Sequence, residues 1–398
     1  MPVWNQALQQ YVRDGKLVVL GVAQEQHPQR NRLFTQWHRI DWPILYDPLN
    51  LMQVRGVPIE VAIDEHGIVR STRIKRETIV QDFINKSFSA EGVKSNSPIK
   101  PVRPDVSALH SHAERVRSSG AWRELGDALV LWQGPDKLGG AIEAYAQAIK
   151  RNAKDGDSHF RLGVCYRMRY ESEQRQGGDF QAAIDVWTEA RAINPNQYIW
   201  RRRVEQYGPR QIKPYPFYDW VHTAAREIEA RGETPIELKT HPTGSEMAQP
   251  KRDFEAQTVD TVSPDPQGRV FRDTRHMVLV EVTVVPPRVQ AGKTARVYVT
   301  LRPNTKQKAH WNNEAEPLRL WIDPPVGLKV PSRLLTAPQG TKPETGETRA
   351  FEFEIQTPTE ASGTVTMSTY ALYYVCEDVS GSCVFLRQDI PITVAVSK

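Results

Sequence analysis

Apolar positions in the first ninety residues change their period several times. Trp4, Leu8, Tyr11 and Val12 recur at helical spacing directly after Pro2, which predicts a helix over residues 3–14. A continuous apolar run at 16–23 then reads as a buried strand, and a second helix is predicted over 29–38. Residues 42–48 are extended in pattern. Val57-Pro58 leads into a strand at 59–64, a Glu65-His66-Gly67 turn, a strand at 68–73 and a helix at 77–88. Strand–helix alternation closed by a hairpin and a helix predicts a small α/β domain over residues 1–88. A Pro/Ser-rich stretch at 89–107 reads as a linker.

From 108 to 225 the period is helical and the pattern repeats. Trp122, Leu125 and Gly126 lie on one predicted helix, with Ala141, Tyr145 and Ala148 on the next. A second set follows, in which Leu162, Gly163 and Tyr166 precede Ala183, Trp187, Ala190 and Pro195. Small residues let paired helices approach and the aromatics fill the space between them, a pattern that resembles tetratricopeptide (TPR) repeats. The spacing is stretched, 15 residues from Gly126 to Ala141 and 20 from Gly163 to Ala183, where the motif has about a dozen. Loops at 133–136 and 171–178 absorb the excess, and a helix at about 197–207 caps the array. Such repeats imply a concave groove for a protein partner. Cys165 falls on a packed face and reads as a structural thiol. Arg201, Arg202 and Arg203 read as a helix end with cation–π contacts, and the aromatic tail at 213–220 as packing at a domain junction.

Residues 226–266 are polar and rich in Pro, Thr and Glu, a second linker. Beyond them, from 267 to 398, strands of period two dominate, separated by Pro/Gly turns, which predicts an antiparallel, immunoglobulin-like β-sandwich. Pairing about the turn at 378–381 sets Cys376 opposite Cys383, Val375 opposite Val384 and Tyr374 opposite Phe385. Opposed residues lie about 4.5–5.5 Å apart, within reach of a disulfide. A bond closing so short a loop stabilises by about 2.5 kcal/mol in the chain-entropy account. The pair reads as an exchangeable redox couple, a static disulfide or two reduced thiols. Glu377 and Asp378 disfavour a thiolate at Cys376, and Arg387 would offset them if it leaned toward the pair.

Composition narrows the classes. At 398 residues the chain is too long for one core. A net charge of +5, from 52 Lys+Arg against 47 Asp+Glu, is too small for a dedicated nucleic-acid binder. No apolar run reaches the ~20 residues of a membrane helix, and no basic leader precedes the first helix. Three cysteines exclude a four-cysteine zinc site. His110 and His112 point to different faces of a helix, so neither a metal nor any other cofactor is expected. Glu352 and Glu354 share a strand face and read as edge-strand solubility.

Two further resemblances carry the functional expectation. The run Gly56-Val57-Pro58-Ile59-Glu60-Val61-Ala62-Ile63-Asp64-Glu65-His66-Gly67 resembles the cis-proline segment of thioredoxin-like redoxins of the TlpA and peroxiredoxin-related kind. The resemblance implies a partial thioredoxin-like fold with Pro58 as its cis-proline. That family's Cys-x-x-Cys and first strand would lie before Met1, so the domain is expected to be redox-inactive as it stands. The segment at 373–385 resembles the N-terminal domain of the thiol:disulfide interchange protein DsbD family, with one more residue between the cysteines. His310-Trp311-Asn312 and the turn before Val326-Gly327 are similar to that family too. This implies thiol–disulfide exchange at Cys376 and Cys383, a thioredoxin-like electron donor and an extracytoplasmic location. The alternative is a non-catalytic TPR scaffold stapled by a structural disulfide.

Overall fold

The computed structural model describes residues 1–89, 102–209, 218–242, 246–247, 262–378 and 381–398. Most of both linkers, residues 213–217 of the aromatic tail and 379–380 of the hairpin turn lie outside them. The protein is mixed helical and sheet, and it divides into two compact units. Unit 1 comprises Met1–Cys165, Glu189–Arg202 and Pro216–Pro242; unit 2 comprises Tyr166–Thr188, Arg203–Tyr215 and Thr243–Lys398.

Unit 1 begins with α1 (Pro2–Arg13), β1 (Gly21–Ala23), α2 (Pro28–Trp37), β2 (Ile44–Tyr46), β3 (Ala62–Ile63), β4 (Val69–Ser71) and a π-helical turn at Val80–Ile84. Prolines open both helices, where the missing N–H costs nothing. β1 pairs with β2 in parallel and β3 with β4 antiparallel; among the described residues no strand joins the two pairs. The strands expected over 16–23 and 59–64 are therefore realised only in part. Val18, Leu20, Ile59 and Val61 stand exposed beside them, without a neighbouring strand to take their backbone hydrogen bonds. The helix expected over 77–88 is reduced to the π-helical turn, next to which Ile79 is buried. Asp64 ties the β3–β4 turn by accepting from the amides of His66 and Ile68, both at 2.9 Å, and from Arg70 Nε at 2.6 Å.

The helices of unit 1 are built from capped, amphipathic segments. Asp105 caps α3 (Val106–Val116) and Ser118 caps α4 (Ser119–Gln133), each side chain accepting from first-turn amides. α4 meets α5 (Leu138–Arg151) at Gly126, where a Cβ would fall 2.6 Å from Tyr145 Cε1. The Tyr145 hydroxyl donates to Asp127 at 2.7 Å, and Asp127 also accepts from Arg161 of α6 (Gly156–Tyr170) at 2.7 Å. Burial lifts the Tyr145 hydroxyl well above the ordinary tyrosine range, and the nearby Cys165 and Asp127 add to it. α7 (Asp179–Ile193) and α8 (Tyr198–Glu205) follow, and Trp200 of α8 stacks on Phe160 with centroids 5.9 Å apart. α9 (Trp220–Ala230) packs Val221, Ala224 and Ile228 against Leu33 of α2.

Unit 2 holds two sheets. β5 (Val278–Val285), β7 (Thr294–Pro303) and β12 (Arg349–Gln356) form an antiparallel three-stranded sheet in the order β12-β7-β5. The eight-stranded sheet is organised by the long β13 (Gly363–Glu377). It pairs with β15 (Ile392–Ser397), β14 (Ser382–Asp389), β9 (Arg319–Asp323) and β8 (Ala309–Asn312) at successive positions. β6 (Arg288–Gln290), β10 (Leu334–Thr336) and β11 (Glu344–Thr345) complete it. Inward residues of both sheets, among them Val297, Val299, Phe351, Phe353, Trp311, Leu320, Val375 and Ile392, form one core. β7 is buried on both faces, because Tyr170, Phe180 and Tyr207 cover its outer side. Phe180 meets Tyr298 edge-on at 5.1 Å and the Tyr298 hydroxyl donates to the Tyr207 carbonyl at 2.7 Å. Arg167 lies beneath the same aromatics, 4.2 Å from the Phe180 centroid and 4.6 Å from that of Tyr170.

Candidate functional site

The chemistry of unit 2 concentrates where β13 ends. The cross-strand register is Tyr374↔Phe385, Val375↔Val384 and Cys376↔Cys383, and a disulfide joins the last pair with Cα atoms 4.0 Å apart. Alternation along β13 sends Val375 and Tyr373 into the core and Cys376 to the opposite face. The two halves of the disulfide differ in access: Cys376 is 3% exposed, whereas Cys383 is exposed. Beside them Tyr374 and Phe385 stack with centroids 4.5 Å apart.

β8 supplies the third member. His310 is the register partner of Cys376 on the side away from Cys383, so Cys383, Cys376 and His310 lie in a row across three strands. Asp378 lies two positions beyond Cys376, and its carboxylate is 2.7 Å from His310 Nδ1. An ionised carboxylate only accepts, so Nδ1 carries the proton and donates. His310 Nε2 is buried without a hydrogen bond and stands 3.6 Å from a Glu344 carboxylate oxygen. Glu377 binds Arg275 at 2.8 Å. Both carboxylates that follow Cys376 are thus compensated, one by His310 and one by Arg275. Arg387 does not lean toward the pair, so the offset it would have given there is absent. It is held by Asp265 and Asp389, at 2.9 and 2.8 Å, and lies over the Tyr370 ring. Beneath the site the Tyr373 hydroxyl donates to Asp273 at 2.8 Å, which also receives the amides of Met277 and Val278.

The remaining candidate residues lie elsewhere. The Val57–Pro58 bond is cis, as is Val285–Pro286. Trp122, Leu125, Gly126, Ala141, Tyr145, Ala148, Leu162, Gly163, Ala183, Trp187 and Ala190 are buried, Tyr166 is half-buried and Pro195 is exposed. Cys165 is wholly buried on α6. His110 packs on Trp122 and approaches Glu114, while His112 meets Arg115. No group of three metal-ligating side chains occurs among the described residues. Arg201 lies over Tyr198 at the end of the basic run, and Arg203 is buried. Glu352 and Glu354 are not an edge-strand solubility device: they flank the buried Arg296 at 2.5 and 3.6 Å. Tyr218 and Trp220 of the aromatic tail pack on the N-terminal helices, Trp220 stacking on Trp37 at 6.0 Å and Tyr218 bonding Glu25. No helix among the described residues is long and apolar enough to cross a membrane.

Unit 1 also carries an open cleft of about 540 Å³ between the start of α4, the start of α6 and α8. Asp155 at its floor accepts from Arg123 at 2.6 and 2.7 Å, from the Ser119 hydroxyl at 2.5 Å and from the Ser158 hydroxyl at 2.8 Å. Arg123, Lys154, Asp157 and Trp200 line the rest.

His310, Arg275 and Asp273 are the site residues the sequence does not assign. A histidine in a strand whose next residue is a core tryptophan signals an outward imidazole, but not what stands opposite it.

No sequence-family profile matches the chain, and no characterised protein matches it in sequence. Solved structures resemble parts of it only distantly. AggA, the major subunit of Escherichia coli aggregative adherence fimbriae, is 16% identical over 32% of this chain and 98% of its own, with a TM-score of 0.19. Spo0M, a sporulation control protein of Bacillus subtilis, is 11% identical over 31% of this chain and 50% of its own, at 0.17. The Pseudomonas fluorescens alkylpurine DNA glycosylase AlkC is 10% identical over 73% of this chain and 74% of its own, at 0.17. Scores of this size carry no argument about fold or function.

Proposed function

We propose that the chain takes part in thiol–disulfide exchange, with Cys376–Cys383 as the exchangeable pair. The observation that carries this reading is the asymmetry of the disulfide, one sulfur-bearing residue exposed and the other buried at a hairpin neck. Exchange begins when a partner's thiolate attacks one sulfur in line with the S–S bond, and exposure selects Cys383 as the sulfur attacked. Cys376 is then the leaving group, with its flanking carboxylates compensated by His310 and Arg275.

In this reading unit 2 contributes an immunoglobulin-like, DsbD-like sandwich, and residues 1–88 a partial thioredoxin-like region. Parallel β1/β2 and the antiparallel β3/β4 pair support the latter. The electron donor in this reading is a thioredoxin-like dithiol. The TPR-like helices would hold a protein partner, and the cleft lined by Arg123, Lys154 and Trp200 is where they would do so. An exchangeable disulfide fits an extracytoplasmic compartment. A second reading, a scaffold with a static staple, draws on the burial of Cys376 between two paired strands.

The reduction potential of the pair decides between them. The full chain is equilibrated in glutathione buffers, quenched by thiol alkylation, and the cysteines are scored by peptide mass. A midpoint above about −250 mV places the pair among exchangeable disulfides, and one below about −300 mV makes it a staple and ends the exchange reading.

A further inference from the structure

Within the exchange reading, on which it rests, we infer that the reductant docks on the open edge of β14. An extended segment of a partner dithiol protein pairs there with the backbone of Cys383 and Phe385 and so brings its thiolate to the Cys383 sulfur. β14 is paired with β13 along its whole length. On its other side it makes one isolated parallel bridge, Arg272↔Arg387. The Arg387 amide donates to the Phe271 carbonyl at 2.8 Å, and the Arg387 carbonyl accepts from the Asp273 amide at 3.0 Å. Both backbone groups of Arg387 therefore point away from β13. In an antiparallel pair this direction repeats at every second residue, so the amides and carbonyls of Phe385 and Cys383 point to the same outer side. The Cα separation of 4.0 Å between Cys376 and Cys383 agrees, because opposed residues that exchange no ladder bonds lie closer than those that do. Among the described residues neither Cys383 nor Phe385 has a backbone hydrogen bond on that side.

The chemistry of the edge selects its occupant. A row of free amides and carbonyls matches an extended peptide backbone, and Phe271–Asp273 shows the same edge taking a strand of this chain at Arg387. Attack on Cys383 Sγ in line with the S–S bond comes from the side away from Cys376 and β13, which is the side an added strand would occupy. Directly opposed residues share a face. A partner cysteine opposite Cys383 therefore projects on the face of Cys383, and the residue next to it on the face of Val384, which is 40% exposed. An apolar residue beside the partner cysteine would cover Val384. Phe271, 82% exposed, bounds the open stretch where the bridge begins. The partner thiolate attacks Cys383 Sγ and forms a mixed disulfide, while the Cys376–Cys383 bond breaks and its electron pair goes to Cys376 Sγ, which takes a proton from water. The partner's second thiolate then attacks its own sulfur in the mixed disulfide and releases the Cys383 thiolate. The protein pair gains two electrons and the partner dithiol loses them.

The test follows opening of the disulfide in the full chain by acid quench and intact mass. The probe is acetyl-Thr-Val-Cys-Val-Thr-amide, and dithiothreitol is the reductant without a backbone. Two further peptides carry N-methyl groups on alternate amides, so each keeps one set of N–H donors, and every rate is divided by the same reagent's rate on oxidised glutathione. One methylated peptide is expected to react about tenfold more slowly than the parent and the other within about twofold of it, the difference that two main-chain hydrogen bonds make. Phe385→Pro should slow the peptide by a similar factor and leave dithiothreitol unchanged, because the amide it removes faces away from β13 and the ladder to β13 is kept. Oxidised-state melting checks the fold of that variant. Two methylated peptides that both match the parent overturn the edge docking and leave exchange standing, since the pair is still reduced. Peptide rates that fall as protein concentration rises, together with a dimer in sedimentation, assign the edge to a second copy and overturn this occupant. If neither the peptide nor dithiothreitol reduces the pair, the exchange reading fails. The edge is then judged on the oxidised chain with the serine analogue of the peptide: amide shifts confined to Cys383, Phe385 and their neighbours support docking, and their absence overturns it.

Discussion

Replacing Gly126 with alanine sets two terms of opposite sign against each other. In an unencumbered helix the change gains about 1 kcal/mol, because alanine gives up less backbone freedom than glycine. Here the added Cβ would lie 2.6, 2.8 and 2.9 Å from three ring carbons of Tyr145. Ordinary carbon–carbon contact is about 3.5–4.0 Å, so the ring must give by about an ångström. Tyr145 has little room to do so, being wholly buried with its hydroxyl bonded to Asp127 at 2.7 Å. Overpacking a tight site costs about 1–3 kcal/mol, and weakening the hydroxyl bond adds about 1 kcal/mol. The strain wins, with a net loss of about 1–3 kcal/mol. At roughly 2–4 °C per kcal/mol for a unit of this size, the helical melting transition in far-UV circular dichroism falls by about 6 °C. Because the ring is the obstacle, Gly126→Ala combined with Tyr145→Leu loses less than the sum of the two single changes. A Gly126→Ala chain that melts at or above the wild-type temperature refutes the close approach of α4 and α5.

Two further changes probe charges that the fold has committed. Glu352→Gln leaves the buried Arg296 with Glu354, 3.6 Å away, as its remaining carboxylate among the described residues; a loss of about 1–3 kcal/mol is expected in denaturant titration, since Glu352 retains some solvent. Converting both partners, Arg296→Met with Glu352→Gln, recovers most of that loss, and equal stability of the single variant and wild type refutes the pairing. Asp155→Asn tests the floor of the cleft. Burial works against the Asp155 charge, but donors from Ser119, Ser158 and Arg123 outweigh it and hold its carboxyl below the ordinary 3.8. A depressed folded value adds stability above the unfolded value and loses it as pH falls through the folded one. The variant should therefore melt below wild type at pH 7, with the gap closing on acidification below about pH 4. A gap independent of pH contradicts the assignment.

What could be read from the chain follows the reach of each interaction. The hairpin around Cys376 and Cys383 is local: a short turn and a two-residue period determine which residues face each other, so the register was legible. The aromatics of the helical stretch were legible as buried but not as to their partners. Tyr170, Phe180 and Tyr207 sit on the outer face of β7, beside Tyr298, rather than closing a helical array. For that reason the compact units cut through α6, α7 and α8 as well as through the second polar linker, at Pro242/Thr243. Strand length failed for the complementary reason. Val18 and Ile59 carry the pattern of a buried strand, yet a strand exists only where a neighbour takes its hydrogen bonds.

The candidate site divides along the same line. Glu377 and Asp378, read as neighbours of Cys376 in sequence, looked like two charges that would suppress a thiolate. In the fold each meets a cation or an imidazole from elsewhere, Arg275 from 102 residues upstream and His310 from β8. A carboxylate whose charge is taken by a hydrogen-bonded partner repels a nearby thiolate less than a bare one. The sign of the local electrostatics at Cys376 therefore depends on contacts that no window around the cysteine contains. If His310 is removed, the site returns to the arrangement the sequence suggests, with Asp378 uncompensated. The thiolate of the reduced chain should then become harder to form. Asp378→Asn together with His310→Gln should restore part of that loss, because the double change also removes the stranded carboxylate. A double variant no easier to ionise than His310→Gln alone would show that Asp378 acts on the imidazole only and leaves the sulfur's own field unchanged.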